Sequence, residues 1–259
     1  MTDPWPKRIV CLTEETVETL YLLGEEDRIV GVTGYAVRPA YVRREKPRIS
    51  AFTSADIAKI MALQPDLVLS FSDLQADIVA DLIRQGVAIH AFNQRSISGI
   101  FSMIHTVGAL VGQAERAHDL VVSYERRIND LKAIERLNQP KVYFEEWDDP
   151  LITGIGWVSE LIEIAGGVDC FAHLRIEQGA KNRIISPDQV IAACPDVILA
   201  SWCGKKVRPE KIAARDGWAD ITAVQTGRIT EIKSPLILQP GPAALTDGLD
   251  AIHWALWGA

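Results

Sequence analysis

The sequence lacks any apolar run that approaches the roughly 20 residues of a membrane-spanning helix. Its four cysteines form neither a CxxC pair nor a zinc-ligand spacing, so no metal site is predicted. Basic residues are in deficit, because 27 Lys and Arg stand against 34 Asp and Glu, which gives a net charge of −7. A nucleic-acid partner therefore has no electrostatic support.

Catalytic fingerprints are also missing. The sequence contains no HExxH, P-loop, GxSxG or dinucleotide-binding motif, and Gly154-Ile155-Gly156 is an isolated GxG. No catalytic residue and no cofactor are therefore predicted, and the chain is expected not to be an enzyme. The N-terminus passes from a proline-rich lead into a strand and shows no secretory signal as written. A cytoplasmic protein and a protein whose signal was removed both remain open.

Short apolar strands alternate with helices along the chain, which predicts parallel sheets covered on both faces. Thr33 to Arg48 is predicted to be a polar loop, and either Ser54 or Asp56 caps the helix that follows it. The predicted strands are 8–12, 27–32, 67–70, 87–92, 141–144, 196–200 and 227–232, and the predicted helices are 14–24, 56–63, 74–85, 98–111, 159–166, 186–194 and 243–257.

The longest helical pattern runs from Gln113 to Asn138 and has no internal breaker. Apolar residues recur at helical spacing, charged residues lie between them, and Pro140 follows the pattern. Such a helix is roughly 35–40 Å long. The halves on its two sides resemble each other, since each residue of 57–69 aligns without a gap 130 positions before its counterpart in 187–199. We therefore predict an N-terminal α/β lobe at 1–112, a connecting helix at 113–139 and a C-terminal α/β lobe at 140–259.

Open parallel sheets bind ligands beyond the carboxyl ends of their strands, so two such lobes predict a ligand cleft between them. One rigid helical connection predicts that this cleft closes only slightly. Aromatic residues follow the predicted strands and form a candidate wall for a flat macrocycle. This set consists of Tyr35, Phe52, Phe71, Trp147, Trp157 and Trp202.

Two further segments are candidates for the site. Ser234 to Pro242 contains three prolines and a glycine, which suits a preorganised ligand wall, although it equally suits a cap for the last helix. The acidic cluster Glu145, Glu146, Asp148 and Asp149 is interpreted as an exposed turn, with binding of a cationic group or metal as the alternative.

Five segments resemble the helical-backbone class of periplasmic substrate-binding proteins, which serve ABC importers of vitamin B12, haem and ferric siderophores. They cover nearly the whole chain in the order of that family, and within the class they look most like the cobalamin binders. The segments are RIVCLTEETVETLYLLGEEDRIVGVTGY, DIAKIMALQPDLVLS, ITGIGWVSELIEIAGGVDCF, ISPDQVIAACPDVILAS and AVQTGRITEI.

The resemblance implies two Rossmann-like lobes joined by one backbone helix, and a monomer that binds a bulky corrinoid-like ligand. It places Tyr35, Phe52 and Phe71 at ligand-contacting aromatic positions. Pro235 to Gln239, with Leu236 and Gln239, matches the last ligand loop, although Pro235-Leu236 replaces an Asp-Trp pair of the B12-binding protein.

The resemblance also implies an ABC permease as partner and a periplasmic or cell-surface location. Asp188 stands at the docking position of the second lobe, whereas the first-lobe position is Ala58. A ferric siderophore or haem is the alternative ligand. The alternative from another class is a cytoplasmic tetrapyrrole- or corrinoid-processing enzyme, for which His173, Glu145 and Glu146 are the candidate groups.

Overall fold

The structure is a computed structural model that describes residues 4–258. The described chain forms two compact units. The first runs from the start of the described residues to Gln94 and includes Ser98–Ser123. The second comprises Arg95–Ile97 and the residues from Tyr124 onward. Within residues 4–258, no helix is both long enough and apolar enough to cross a membrane. The domain boundaries predicted from the sequence stay a prediction.

The first unit is built on a five-stranded parallel sheet with the order β3-β2-β1-β4-β5. Helices follow most of its strands, as the alternating pattern predicts. Its elements, the last of which continues into the second unit, are β1 (Ile9–Cys11), α1 (Glu14–Leu22), β2 (Ile29–Thr33), α2 (Val42–Glu45), β3 (Arg48–Ser50), α3 (Ile57–Ala62), β4 (Leu67–Phe71), α4 (Ala76–Arg84), β5 (Ile89–Phe92), α5 (Ile97–Leu110) and α6 (Ala114–Lys132).

The second unit contains another five-stranded sheet, with the order β10-β9-β6-β7 and β8 beside the start of β6. Its elements are β6 (Lys141–Asp148), β7 (Leu151–Thr153), α7 (Gly156–Ile164), β8 (Val168–Asp169), α8 (Pro187–Ala193), β9 (Val197–Ala200), α9 (Pro209–Ala213), α10 (Thr222–Gln225), β10 (Ile229–Glu231), α11 (Ser234–Ile237) and α12 (Leu249–Trp257). The predicted α/β class is confirmed.

The prediction that every strand is parallel is wrong for β7. This strand pairs with β6 in the antiparallel direction, and Glu145 lies opposite Thr153. β6 also continues to Asp148, four residues beyond its predicted end at Phe144. Only two residues separate β6 from β7, and so short a connection can join only antiparallel strands. The apolar run Val142–Phe144 marked the buried half of the strand and missed its polar half.

The duplication seen in the sequence extends to hydrogen bonds in each unit. Before β4, the Asp66 carboxylate accepts hydrogen bonds from the N–H groups of Lys7 and Arg8 at 2.8 and 2.9 Å. Before β9, Asp196 accepts the N–H of Lys141 at 2.8 Å. The turns are alike too, since Gln64 and Cys194 have φ values of 47° and 44°. Each carboxylate thus ties the first strand of its unit to the strand that follows the turn.

The long helix is shorter than the predicted 113–138, because α6 ends at Lys132. The Arg136 Nη1 donates to the carbonyl of Leu131 at 3.1 Å, and its guanidinium carbon lies 5.2 Å from the centroid of the Trp257 ring. A basic side chain that caps the last carbonyls ends a helix although the periodic pattern continues. The predicted polar loop at 33–48 is wrong in its second half, since it contains α2 and the start of β3.

Each unit has its own apolar core. In the first, Val10, Leu12 and Val68 are fully buried around the central strands. In the second, the fully buried Tyr143 packs edge-on against Trp218, with ring centroids 6.3 Å apart and an interplanar angle of 72°. Burial of each such side chain contributes about 1.5–3 kcal/mol.

The structure decides which residue caps α3. Asp56 is the N-cap, and its carboxylate accepts the N–H of Lys59 at 3.0 Å. We expect Asp56→Ala to lower the free energy of unfolding by about 1 kcal/mol, because an N–H in the first turn loses its acceptor. Urea denaturation measures this change. Ser54→Ala is the matched control and should change the free energy by less than about 0.5 kcal/mol. An equal loss in both variants would contradict the assignment.

Candidate functional site

Three of the predicted ligand residues lie at one edge of the first sheet. The carboxyl edge of a sheet is defined here as the edge at which its parallel strands end. Tyr35 and Phe52 each follow the end of a strand by two residues, and Phe71 is the last residue of β4. Tyr35 is 46% exposed, Phe52 is half-buried and Phe71 is buried. Tyr35 and Phe52 can therefore offer ring surface to a ligand, whereas Phe71 is mainly a core residue.

Gln75 joins two of these segments, those of Phe52 and Phe71, to the segment that follows β1. Its side chain is fully buried, and its Oε1 accepts the N–H of Phe71 at 3.0 Å. Its Nε2 donates to the carbonyls of Phe52 and Leu12 at 2.8 and 3.2 Å. One amide thus joins the segments that follow β1, β3 and β4. The sequence pattern places this residue in a helix and indicates no role for it.

Ser72 lies in the chain between β4 and Gln75. Its backbone conformation, with φ of 63° and ψ of 175°, is one that favours glycine. Such a residue costs roughly 1–3 kcal/mol unless its surroundings hold it. The Ser72 N–H donates to the carbonyl of Phe92 at 2.7 Å, and the Ser72 Oγ accepts the N–H of Leu74 at 3.3 Å. The turn leaves Leu74 58% exposed beside the aromatic residues, so it is an additional apolar candidate.

A buried acid begins the first helix at the same carboxyl edge. Glu15 lies in the first turn of α1 and is 2% exposed, and its Oε1 has no hydrogen-bond partner among residues 4–258. Burial, assisted by the charge of Glu14, raises the pKa of Glu15 from its ordinary 4.5 to about 8. A helix N-terminus favours the ionised carboxylate by at most about 2 kcal/mol, so here desolvation outweighs the dipole.

The acidic cluster of the second unit is not an exposed turn, which corrects the interpretation from sequence. Glu145 and Glu146 lie on β6, and only Asp149 is exposed in the turn. Glu145 is fully buried and accepts hydrogen bonds from Arg215 Nη1 and Nη2 at 2.5 and 2.9 Å. Glu146 binds the buried Arg183 in the same bidentate manner at 2.7 and 2.9 Å. Because β6 continues past Phe144, these carboxylates point into the fold and need a cation.

The Glu145 pair shifts the protonation of its neighbours. Burial disfavours the charged guanidinium of Arg215, yet the hydrogen bond and charge of Glu145 raise the pKa of Arg215 above its ordinary value. Burial and the same carboxylate hold the pKa of Tyr143 well above its usual range. The Tyr143 hydroxyl consequently stays protonated and donates to Glu145 at 3.1 Å. Arg215 and Tyr143 together satisfy the buried carboxylate.

Trp147 and Trp202 are brought together at the carboxyl edge of the second sheet. The ammonium of Lys205 lies 5.2 Å from the centroid of the Trp147 ring and 4.9 Å from that of Trp202. Trp147 is half-buried on β6, whereas Trp202 is buried and its Nε1 donates to Glu145 at 3.1 Å. Because Trp202 follows β9, the sequence predicts a ligand contact for it, whereas the structure gives it mainly a packing role. No sequence pattern singles out Lys205.

Trp157 and the last predicted ligand segment form another part of the second unit. Trp157 lies in α7 and is buried, not in a loop, and its Nε1 donates to the carbonyl of Ile237 at 2.8 Å. The segment contains the short helix α11, in which Leu236 is half-buried, and Gln239 follows it as a buried residue. A Cβ at Gly248 would lie 2.3 Å from the Leu236 carbonyl oxygen, so only glycine permits this contact. These constraints match a preorganised segment.

The groups named for an enzyme alternative are not assembled as a catalytic set. Both Glu145 and Glu146 are held by arginines, and His173 is exposed in a single 3-10 turn. Within residues 4–258, no three His, Cys, Asp or Glu side chains are grouped so that they could hold a metal ion. A cavity of about 310 Å³ in the second unit is lined by residues such as Pro140, Asp196 and Arg228. It therefore lies where strands begin, away from the carboxyl edge.

The candidate docking residue is accessible. Asp188 is exposed in the first turn of α8, and Ala58 is exposed in the first turn of α3. The two helices occupy equivalent places in the duplicated pattern. The acidic and the apolar side chain therefore stand at matching positions of the two units.

Residues 9–236 match the model of the periplasmic binding protein family. The chain belongs to this family. Its members are binding proteins, and the match covers the carboxyl edges of both sheets and ends within the last predicted ligand segment, at residue 236.

Two curated relatives and one solved structure show how this periplasmic binding protein compares with others. It is 26% identical to the uncharacterized ABC transporter substrate-binding lipoprotein YvrC of Bacillus subtilis, over 97% of this chain and 80% of the relative. It is 26% identical to the vitamin B12-binding protein of Vibrio cholerae, over 95% and 88%. The haem-binding protein RhuT of Roseiflexus superposes with a TM-score of 0.81 at 26% identity, over 96% and 99% of the two chains.

Replacement of Gln75 tests its positioning role. We expect Gln75→Met to lower the free energy of unfolding by about 2–4 kcal/mol, because three buried backbone groups lose their partner while the volume is nearly kept. Urea denaturation measures the change. The exposed Gln85→Met is the control and should shift stability by less than about 0.5 kcal/mol. Equal stability of both variants would show that the three contacts contribute nothing.

The buried Glu15 predicts a pH dependence of stability. Between about pH 4.5 and pH 8 the folded state keeps a proton that the unfolded state releases. Stability therefore falls as the pH rises through this window, by at most about 1.4 kcal/mol per pH unit. Glu15→Gln should remove the share of Glu15 and leave the decline that Glu14 and Asp169 cause, since burial raises the pKa of both carboxyls. Unfolding measured from pH 5 to pH 8.5 checks this. The exposed Glu135→Gln should keep the wild-type profile, and parallel profiles for wild type and Glu15→Gln would contradict the prediction.

Proposed function

We propose that the chain is the substrate-binding protein of an ABC-type importer and that it is not an enzyme. The ligand is a bulky corrinoid of the cobalamin type, and it is bound by residues at the carboxyl edges of the two sheets. The observation that carries this proposal is the exposed aromatic surface of Tyr35 and Phe52 on a carboxyl edge braced by the buried Gln75. Flat macrocycles gain most from such rigid, apolar faces.

The relatives support the class of ligand. The protein of Vibrio cholerae is named a vitamin B12-binding protein, and that of Roseiflexus is named a haem-binding protein. Haem is thus the second candidate ligand, since a solved structure of that description shares the fold at similar identity. A ferric siderophore is the third candidate and rests on the family resemblance. The name of the Bacillus relative supports an ABC transporter as the partner.

Partner docking is proposed to use Asp188. An exposed carboxylate at the start of α8 can pair with a basic side chain of a permease, while Ala58 offers no such charge on the first unit. The charge pairing with the permease would therefore involve only the second unit. As a separate point, we propose that the protein acts as a monomer.

The ligand is tested by adding cyanocobalamin, cobinamide, haemin and ferric siderophores to the purified protein. Calorimetry and the absorption spectrum report binding, since corrinoids and haem both absorb visible light. We expect binding of cyanocobalamin above all. The proposal fails if none of these compounds produces heat or a spectral change.

The site is tested with Tyr35→Ala and Phe52→Ala. Each should weaken binding about 5- to 30-fold, because an exposed ring surface worth about 1–2 kcal/mol is lost, and each should leave the melting temperature nearly unchanged. Trp202 is unsuitable here, since its buried indole also stabilises the core. Trp254→Ala is the control. This exposed residue lies on α12. The last carbonyls of α12 accept hydrogen bonds from Arg228, which directly precedes β10. This end of the helix therefore lies where β10 begins, away from the carboxyl edge. Unchanged affinity in both edge variants would misplace the site.

A further inference from the structure

The loop after β9 places a lysine among acceptors and aromatic rings at the carboxyl edge of the second unit. The Nζ of Lys205 donates to both oxygens of Asp148, at 2.8 and 2.6 Å. The same ammonium contacts the rings of Trp147 and Trp202, at the distances given above. Lysine is ordinarily a flexible side chain that loses much rotamer freedom when it is fixed. Here its position is already fixed by a carboxylate and two indoles.

The groups that hold Lys205 are themselves braced. Trp202 is 3% exposed and donates to Glu145, which is in turn bound by Arg215. The Trp147 Nε1 donates to the carbonyl of Asp149 at 2.9 Å. The guanidinium carbon of Arg215 lies 4.6 Å from the Trp218 ring centroid in the core. A continuous set of contacts therefore connects the buried core to the ammonium, so a ligand meets a preorganised charge.

The ammonium has capacity for one more acceptor. A lysine offers three N–H donors, and Asp148 receives two hydrogen bonds. No other hydrogen bond of this ammonium is found within residues 4–258. The Lys205 side chain is 48% exposed, whereas that of Asp148 is 19% exposed. The open side of the pair is therefore the cation, although the protein as a whole is acidic.

The surrounding sequence adds to the positive charge. Cys203-Gly204-Lys205-Lys206-Val207-Arg208 contains three cations and no acid, in a chain of net charge −7. Cys203 to Lys206 are exposed. Three acidic groups contact this segment. They are Asp148, Glu231, which accepts the N–H of Val207 at 3.1 Å, and Glu210, whose carboxylate lies 3.9 Å from Arg208. The remaining donor of Lys205 is best matched by an anionic oxygen, since charge-assisted hydrogen bonds are the stronger ones.

We propose that Lys205 is the residue that recognises an anionic oxygen of the ligand, a carboxylate or a phosphate, through the donor that Asp148 leaves unused. This inference rests on the proposed function, because it assigns the chemistry of one part of the same ligand. The ligand that this role implies is a planar metal chelate with an acidic substituent. The half-buried Trp147 borders this position, and Asp148 keeps the ammonium aimed after the ligand has left.

The experiment compares ligands with and without the anionic group. Haemin and its dimethyl ester differ in the carboxylates, whereas cyanocobalamin carries a phosphodiester that cobinamide lacks. Affinities are measured by calorimetry for the wild type and for Lys205→Met, which keeps most of the aliphatic stem. We expect the variant to bind the anionic member of the recognised pair about 10- to 100-fold more weakly and to bind the neutral member nearly as the wild type does. The pair that responds identifies carboxylate or phosphate as the group.

Controls separate recognition from folding. Lys206→Met removes a neighbouring exposed cation and should leave every affinity within about twofold. If Lys205→Met is unstable, the double variant Asp148→Asn with Lys205→Met avoids an unpartnered carboxylate and should show the same selective loss. The wild type alone provides a further test. It should bind haemin more tightly than the ester, or cyanocobalamin more tightly than cobinamide.

The outcomes also separate this inference from the proposed function. A wild type that binds neither these four compounds nor a ferric siderophore overturns both. A wild type that binds them, with equal losses for charged and neutral members in the Lys205 variants, overturns only the role of Lys205.

Discussion

The arrangement of each unit depends on one carboxylate that fixes the register of two central strands. Asp66 accepts the backbone N–H groups that precede β1, and Asp196 accepts the N–H of the first residue of β6. Register in a buried parallel sheet must be specified, since a slip by one residue exchanges the two faces. Because the starts of the strands are fixed in this way, the parallel strands of each unit end at the carboxyl edge of its own sheet. That edge is where the candidate ligand residues of each unit collect.

The two units stabilise the loops at their carboxyl edges with different chemical groups. Loops that follow parallel strands need their backbone groups satisfied before they can hold a side chain still. The first unit uses the neutral amide of Gln75, which reaches three segments. The second unit uses the buried Glu145, which requires Arg215 for its charge and positions Trp202 through a hydrogen bond. A neutral support leaves the first edge apolar, whereas an ionic support brings a cation, Lys205, to the second edge through Trp202.

Sequence periodicity predicted the α/β class, the duplication and most strands, because apolar side chains must alternate with turns in this way to form a buried sheet. It failed where a single polar contact decides the structure. The capping of Leu131 by Arg136 ended α6 early, and the arginine partners of Glu145 and Glu146 kept β6 extended through residues that resemble an acidic turn. Tyr35 and Phe52 could be named as candidates because aromatic residues that follow strands are recognisable in the sequence, and their role in binding stays a prediction. Gln75 and Lys205 could not, since their partners lie up to 63 positions away in the chain.

The contrast between supports and contacts bears on how one fold serves different ligands. Gln75, Glu145 and Arg215 are wholly or largely buried and bind backbone or one another, so a change in any of them alters stability before it alters selectivity. Tyr35, Leu74 and Lys205 are exposed after the ends of strands, and their replacement costs the fold little. Ligand chemistry can therefore change at the exposed positions while the supports stay the same. The exposed positions are therefore the ones from which the ligand must be inferred.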